Sequence, residues 1–168
     1  MEVTITYLQM FKPPAQPNVP LPSPLVAMQS MEPNVTFYRY LYGAVGASWK
    51  WLDRLGWSDQ QLLRELRRPE LELWVLYHAG TPAGYCELVH TPGEVNVSYF
   101  GLMPDYLGKG LGRLWLGWTL HQAWRDDPKR VWLHTCDLDH PAALPLYQKL
   151  GLEAYQQIKE ERSLPVRA

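Results

Sequence analysis

The feature that most constrains the fold is a glycine-rich segment between a predicted strand and a predicted helix. Three glycines alternate with other residues in Gly108-Lys109-Gly110-Leu111-Gly112, and Arg113 follows. The strand pattern ends at Met103, and an amphipathic helix begins near Leu111. Small residues let backbone amides approach an anion, and the unpaired N–H groups of a first helical turn attract it. The segment predicts a phosphate-binding turn, with a glycine-rich turn that only permits tight helix packing as the alternative.

Two better-known phosphate motifs do not fit this segment. The dinucleotide fingerprint requires glycine where this chain has Arg113, and the P-loop requires a Gly-Lys-Ser/Thr sequence that is absent. Backbone amides with Lys109 and Arg113 nearby suit a pyrophosphate. We therefore expect a pyrophosphate-containing ligand outside the dinucleotide and P-loop classes.

The rest of the chain alternates between strand and helix patterns. Strands are predicted at 2–10, 71–78, 83–90, 94–103, 130–138 and within 152–162, and helices at 35–55, 58–69, 111–124 and 140–150. Ser58 and Gln61 have the spacing of a capping box, and Gly151 suits a helix C-terminus. The order predicts an α/β fold with a mixed, mostly antiparallel central sheet flanked by helices. At 168 residues, we expect one domain over 1–168.

A proline cluster separates the first strand from the first helix. Six prolines lie between Pro13 and Pro24, a density that forbids a helix or a central strand. We expect a surface arm over about residues 12–24 that crosses the domain.

Composition excludes several classes of function. Lys and Arg total 16 against 17 Asp and Glu, so the basic excess of a nucleic-acid-binding protein is missing. No apolar stretch approaches the roughly 20 residues of a membrane span. Cys86 and Cys136 lack the spacing of a metal site and are expected to be free thiols. We expect a cytoplasmic protein without a metal, nucleic-acid or membrane partner.

Two segments together resemble the GNAT superfamily of N-acetyltransferases. Residues 102–112 (LMPDYLGKGLG) are similar to its acetyl-CoA segment, and residues 140–152 (HPAALPLYQKLGL) are similar to its second cofactor segment. The resemblance implies that the backbone amides from Leu107 to Arg113 bind the pyrophosphate of acetyl-CoA. It also implies that Leu102 and Met103 bind the pantetheine arm. The implied cofactor residues are Leu102, Met103, Leu107, Gly108, Lys109, Gly110, Leu111, Gly112, Arg113 and His140.

This chain departs from the family pattern at two cofactor positions. The family usually has Gln or Arg where this chain has Leu107, which removes a side chain but no backbone amide. It usually has Asn where this chain has His140. His140 either contacts the cofactor or is the N-cap of a helix with Pro141 at its first position, and we favour the cap.

The resemblance assigns the general acid to Tyr147. Attack of an amine on a thioester expels a thiolate, and a phenol with a pKa of about 10 can protonate it. The alternative is a purely structural Tyr147, because it shares an apolar helix face with Ala143 and Leu150.

The general base is harder to assign, because Asn96 stands where some family members have a glutamate. If a hairpin pairs His90 with Val95, Glu87 lies opposite Ser98 and is our predicted base. Glu94 acting through water, His134 and Asp137 are alternatives, as is a reaction without a protein base. Both glutamates are otherwise ordinary residues of a solvated strand face.

Aromatic residues are concentrated where the resemblance places the acceptor cleft, beside Phe37–Leu66. We expect Tyr38, Tyr40, Tyr42, Trp49 or Trp51 to wall the cleft and the 13–24 arm to form one rim. Such a wall suits an apolar or aromatic amine. Alternatively, these rings belong to the core or bury a homodimer interface.

The sequence therefore predicts an N-acyltransferase. It would transfer an acetyl or other short acyl group from acyl-CoA to a primary amine of a small molecule or peptide by direct attack. No covalent intermediate is expected, because neither cysteine has a paired base in the sequence. The alternative is a non-catalytic acyl-CoA-binding sensor or interaction module, which Asn96 favours.

Overall fold

A computed structural model describes residues 1–163. It contains seven strands and four helices, and two short 3₁₀ turns lie at Ala47–Trp49 and Pro104–Tyr106. The strands are β1 (Glu2–Met10), β2 (Leu25–Gln29), β3 (Leu71–His78), β4 (Thr81–Thr91), β5 (Glu94–Leu102), β6 (Arg130–Cys136) and β7 (Glu153–Glu161). The helices are α1 (Val35–Gly46), α2 (Asp59–Leu66), α3 (Leu111–Trp124) and α4 (Ala143–Lys149). The predicted mixed α/β architecture is confirmed.

All strands form one sheet in the order β2-β3-β4-β5-β6-β1-β7. Only β5 and β6 are parallel, so the sheet is mostly antiparallel, as predicted. These two strands pair only where Glu94–Asn96 faces Arg130–Trp132. Beyond that point they separate, and the sheet opens between them.

Helices cover both faces of the sheet because the strands alternate their apolar side chains. Tyr85 of β4 packs with α1 and α2 on one face. Leu88 of the same strand packs with α3 and α4 on the other. β4 therefore contributes to a core on each face of the sheet.

Local sequence signals place the starts of α1 and α2 as predicted, but α1 ends at Gly46, nine residues before the predicted end. Asn34 caps α1 by accepting the N–H of Phe37 at 2.7 Å. In the capping box of α2, the Ser58 hydroxyl accepts the Gln61 N–H at 3.2 Å, and the Gln61 side chain accepts the Ser58 N–H at 2.8 Å. The predicted apolar face of α1 is buried and comprises Tyr38, Leu41, Tyr42 and Val45.

The proline arm leads into a strand that the sequence analysis did not predict. β2 has only five residues and pairs with β3 at the sheet edge, where Val26 and Met28 remain exposed. An edge strand with exposed apolar residues lacks the half-buried pattern by which strands are recognised. The arm itself lies against α3, where the Gln16 carbonyl is 3.0 Å from Nε2 of His121.

None of the helices in residues 1–163 is long and apolar enough to cross a membrane.

Candidate active site

A cleft of about 300 Å³ lies where β5 and β6 separate. Its lining comes from six parts of the chain: the end of α1 with the loop that follows it, the outer half of β5, the glycine segment, β6 with the loop that follows it, α4, and Arg162 after β7. The site is therefore assembled from residues far apart in the sequence. Residues 13–24 contribute no lining side chain, so the arm does not form the predicted rim.

The glycine segment forms one wall of the cleft at the start of α3. Gly108 and Gly110 have φ values of +72° and +76°, which disfavour residues with a side chain. Gly110 is the N-cap of α3, and no side chain caps the helix. The first-turn N–H groups of α3 therefore lack a capping acceptor, and Leu107, Gly108 and Gly112 line the cleft beside them. This arrangement suits an anion.

Leu102 and Met103 occupy different environments, although both are predicted cofactor residues. Leu102 lines the cleft. The Met103 N–H donates to the Ala83 carbonyl at 2.8 Å, and its carbonyl accepts the Tyr106 N–H at 3.0 Å. The Met103 side chain is buried against α1. The Met103 N–H is therefore already used within the fold.

Tyr147 of α4 faces the cleft from the side of α3. Its ring packs edge-on against Phe100, with 6.3 Å between the ring centroids. The residue is buried but lines the cleft, and its hydroxyl makes no hydrogen bond to the residues that the structure describes. Burial raises the pKa of Tyr147. The phenol is therefore protonated at neutral pH and is suited to donating a proton.

Glu87 lies outside the cleft, in a buried ion pair. Its oxygens accept hydrogen bonds from Nη1 of Arg54 at 2.8 and 2.9 Å, and from the Tyr38 hydroxyl at 2.8 Å. The side chain is 0% exposed. Burial raises the pKa of Glu87, and Arg54 opposes that effect. The geometry does not support the predicted base role, because these partners hold the carboxylate away from the cleft.

The register around Glu87 also differs from the prediction. His90 does pair with Val95, but a bulge follows and places Glu87 opposite Tyr99 instead of Ser98. An extra residue in one strand shifts all later pairs by one position, and hydrophobic patterning does not reveal it.

Of the base candidates that the sequence analysis named, His134 is the one that lines the cleft. It lies on β6 just beyond the last pair with β5, and its ring is 5.4 Å from that of Tyr7. Desolvation lowers the pKa of His134, although the residue is exposed on β6 and the carboxylates of Asp139 and Asp53 act in the opposite direction. A neutral imidazole at pH 7 can accept a proton.

The other base candidates lie outside the cleft lining. Glu94 pairs with Arg130 at 3.4 Å, and Asp137 accepts the Thr4 N–H at 3.1 Å. Asn96 is likewise absent from the lining residues. The geometry thus favours His134 over these side chains.

Only part of the predicted aromatic wall lines the cleft. Trp49 and Trp51 do so, because α1 ends at Gly46 and the chain then turns across the cleft. Tyr38 and Tyr42 are buried in the core, and Tyr40 is 51% exposed on the outer side of α1. Two rings that were not predicted, Tyr99 and Phe100 of β5, complete the wall. Their only signal in the sequence is the alternation of side chains along β5, and the bulge interrupts that alternation.

His140 lines the cleft, but it is not the N-cap of α4. The helix begins at Ala143 with Ala142 as N-cap, so His140 and Pro141 precede it. Nδ1 of His140 accepts the Ala142 N–H at 3.0 Å, and the ring packs against Trp49 at 5.0 Å. His140 thus caps the turn before the helix and also forms part of the cleft wall.

Neither cysteine is bonded to another residue in the described chain. Both thiols are free, with Cys86 buried and Cys136 partly exposed on the cleft wall. Burial raises the pKa of both thiols, which keeps them protonated and weakly nucleophilic. Within residues 1–163, no group of three His, Cys, Asp or Glu side chains is arranged to hold a metal ion.

The comparisons with known proteins identify the family of the chain. The model of the acetyltransferase (GNAT) family matches residues 36–152. The chain belongs to this family. The matched region runs from α1 to the residue after Gly151 and so includes the loop after α1, the glycine segment and Tyr147. A search of curated proteins found no match.

Solved GNAT structures share the fold at low sequence identity. A GCN5-related N-acetyltransferase from Sphaerobacter thermophilus is 18% identical, with a TM-score of 0.64 over 93% of this chain and 49% of its own. An aminoglycoside acetyltransferase from an uncultured soil metagenomic sample is 12% identical, with a TM-score of 0.65 over 85% and 97%. The ribosomal-protein-S18-alanine N-acetyltransferase from Escherichia coli is 18% identical, with a TM-score of 0.57 over 76% of each chain.

The chain is shorter than several of these GNAT proteins. It spans 49% of the Sphaerobacter protein and 56% of a related N-acetyltransferase from Kribbella flavida.

Proposed function

We propose that this protein is an acyl-CoA-dependent N-acyltransferase that transfers an acetyl or other short acyl group to a primary amine. The observation that carries the proposal is that one cleft is lined both by residues at the uncapped start of α3 and by Tyr147. An anion-binding turn supplies affinity for a pyrophosphate, and a protonated phenol supplies a proton for a leaving thiolate.

The residues of the glycine segment fit the pyrophosphate of acetyl-CoA. The N–H groups at the start of α3 would donate to its oxygens, and Gly108 and Gly110 leave the adjacent space open, since an added Cβ would meet no described atom within 4 Å. Lys109 and Arg113 are exposed nearby, and neither forms an ion pair within residues 1–163. Both can therefore neutralise phosphate charge.

The opening between β5 and β6 would receive the thioester. Leu102 flanks it on β5, and Leu133 and His134 flank it on β6. The amine nitrogen forms a bond to the carbonyl carbon, and the carbon–sulfur bond breaks. Tyr147 donates its proton to the departing sulfur, and His134 accepts the proton that the amine loses. Holding both reactants in one cleft supplies much of the rate.

The cleft favours an amine on an apolar or aromatic body. Trp49, Trp51 and Tyr99 present ring surfaces, and Asp53 lies beside them without an ion-pair partner in the described chain. Ring faces and a carboxylate together attract a cationic amine. Two of the structural neighbours are named for chemically different acceptors, an aminoglycoside and a protein alanine. They are only 12% and 18% identical to this chain, so they do not indicate its acceptor.

The proposal is tested by binding and turnover of the same purified protein. Calorimetry with CoA measures the cofactor site. Release of free thiol from acetyl-CoA is then followed with a panel of arylalkylamines, alkyl diamines, aminoglycosides and peptides. We expect CoA to bind and thiol release to depend on the amine, with arylalkylamines turned over fastest. CoA binding without turnover across the panel would instead support the sensor alternative, and absence of CoA binding would exclude both.

A further inference from the structure

Arg54 lies in the loop that lines the acceptor half of the cleft, but its side chain points away from it. We call residues 47–58, between α1 and α2, the acceptor loop. Trp49, Trp51 and Asp53 of this loop line the cleft. Arg54 points into the protein instead, and its side chain is 8% exposed. The loop therefore has a buried cation directly beside its cleft-lining residues.

The Arg54 guanidinium joins the acceptor loop to the sheet and to both neighbouring helices. Nη1 donates to both oxygens of Glu87 on β4 and to the Tyr38 hydroxyl on α1. Nη2 lies 3.5 Å from Oε1 of Glu65 on α2. The Tyr42 hydroxyl also accepts the backbone N–H of Arg54 at 3.3 Å. Few conformations of the loop satisfy all of these contacts at once.

The same guanidinium also contacts the cleft wall. It lies over the Tyr99 ring, 4.6 Å from the centroid, and the Tyr99 ring packs against Trp51 at 5.2 Å. Across the cleft, the Trp51 indole N–H donates to Asp139 at 3.2 Å. Arg54 thus packs directly on Tyr99 and, through that ring, supports Trp51.

Stability alone does not account for this ion pair. Removing two charges from water costs several kcal/mol per ion, and apolar residues of similar size often replace a buried pair without loss of stability. A buried pair does, however, favour one geometry over others. We propose that Arg54 and Glu87 are a positioning pair that fixes the acceptor loop and Tyr99 in the geometry that binds the amine. This inference rests on the proposed N-acyltransferase function.

The test compares Glu87→Gln with a matched control, Glu94→Gln. Both substitutions remove one carboxylate charge from an Arg–Glu pair on the sheet. Arg130, the partner of Glu94, bonds to residues of β1, β5 and β7 and not to the acceptor loop. Four quantities are measured: hydrogen exchange of the loop amides, CoA affinity, and the KM and the kcat of the best amine from the panel. Thermal stability is recorded for both variants.

We expect Glu87→Gln to accelerate exchange in residues 47–58 while exchange in the first turn of α3 stays unchanged. The amine KM should rise about ten-fold or more, because a small displacement of positioning residues is costly. CoA affinity and kcat at saturating amine should stay within about three-fold of wild type. Glu94→Gln should change none of these quantities.

The inference is overturned if loop exchange is unchanged in Glu87→Gln, or if CoA affinity falls as much as apparent amine affinity. If no amine is turned over by the wild type, the proposed function fails, yet the exchange data still decide whether the pair fixes the loop. If Glu87→Gln does not fold, Arg54→Lys is measured in the same way. Lysine keeps the charge but not the planar fork, so the same effects should appear in smaller size.

Discussion

Tyr147 and His134 face the cleft from different elements, and their environments shift their acidities in opposite ways. Burial raises the pKa of the Tyr147 phenol, and desolvation lowers the pKa of the His134 imidazole. A pair of groups separated in this manner supplies one proton donor and one proton acceptor at neutral pH. In the proposed reaction, Tyr147 is therefore the proton donor and His134 the proton acceptor.

Replacing Tyr147 by Phe should reduce the rate of transfer without weakening cofactor binding. The substitution removes only the hydroxyl, which makes no hydrogen bond to the described residues, so the packing against Phe100 persists. We expect kcat to fall about ten- to a thousand-fold, the range of lost acid catalysis. Calorimetry with CoA is the control. Unchanged turnover, with chemistry shown to be rate-limiting, would make Tyr147 a purely structural residue.

Replacing His134 by Gln should remove a limb of the pH profile. The imidazole accepts a proton only when neutral, and its lowered pKa places that transition below the ordinary value of about 6.5. In the wild type, kcat/KM for the free amine should rise as the pH increases through this transition and level off by about pH 7. His134→Gln should lose this limb and about a hundred-fold in rate. An identical pH profile in the variant would show that water or another group is the general base.

At the scale of elements, anion binding at the start of α3 depends on the side chains that lie beside its free backbone amides. An added Cβ at Gly112 would lie 3.6 Å from Leu146, an ordinary contact, whereas a carboxylate there would meet the expected phosphates. Gly112→Glu should therefore weaken CoA binding at least about a hundred-fold, and Gly112→Ala much less. Gly117→Glu places the same charge farther along α3 in open space and is the matched control. Near-normal CoA affinity in Gly112→Glu would show that the phosphates bind elsewhere.

The contact between β3 and the end of α3 depends on the charged carboxylate of Glu72. Glu72 accepts hydrogen bonds from the Trp74 indole at 2.9 Å and from Arg125 at the end of α3. Burial opposes its charge, but contacts from His90, Arg125 and Trp74 outweigh it and hold the pKa of Glu72 well below its usual range. The unfolded chain therefore binds this proton more readily than the folded protein. The stabilisation is present above about pH 4.5 and is lost as the pH falls through the folded pKa.

Glu72→Gln should consequently cost about 2 kcal/mol of unfolding free energy at pH 7 and less near pH 3, where part of the stabilisation is already lost. Denaturant unfolding at several pH values measures this difference. Glu2→Gln, at an exposed pair with Lys159, is the control and should cost far less. An equal loss for Glu72→Gln at both pH values would contradict the assignment.

The sequence predicts the individual helices and turns more accurately than it predicts strand pairing and register. The capping box at Ser58 and the glycine turn before α3 are local signals, and both were found as predicted. β2 was missed because its exposed edge residues lack the strand pattern. The bulge beside Glu87 was missed because it changes pairing without changing composition.

At the scale of the whole molecule, the cleft exists because β5 and β6 stop pairing after three positions. Residues from the acceptor loop, the glycine segment, β6 and α4 then meet in one place. Family resemblance indicated Tyr147 and the glycine segment, since each lies in a contiguous motif. The buried partner of Glu87 had no such signal, because Arg54 is 33 positions away in a loop. That contact holds Glu87 outside the cleft, whereas His134 lines it.

Mass spectrometry of a single turnover tests the central claim, direct transfer within the cleft between β5 and β6, most directly. The protein is loaded with acetyl-CoA, and the best amine from the panel is then added. We predict that the protein mass stays unchanged before addition, and that N-acetylated amine and CoA then appear in equal amounts. Acetyl-protein accumulating before the amine is added, for instance at Cys136, would contradict direct attack. CoA released without acetylated amine would contradict the transfer itself.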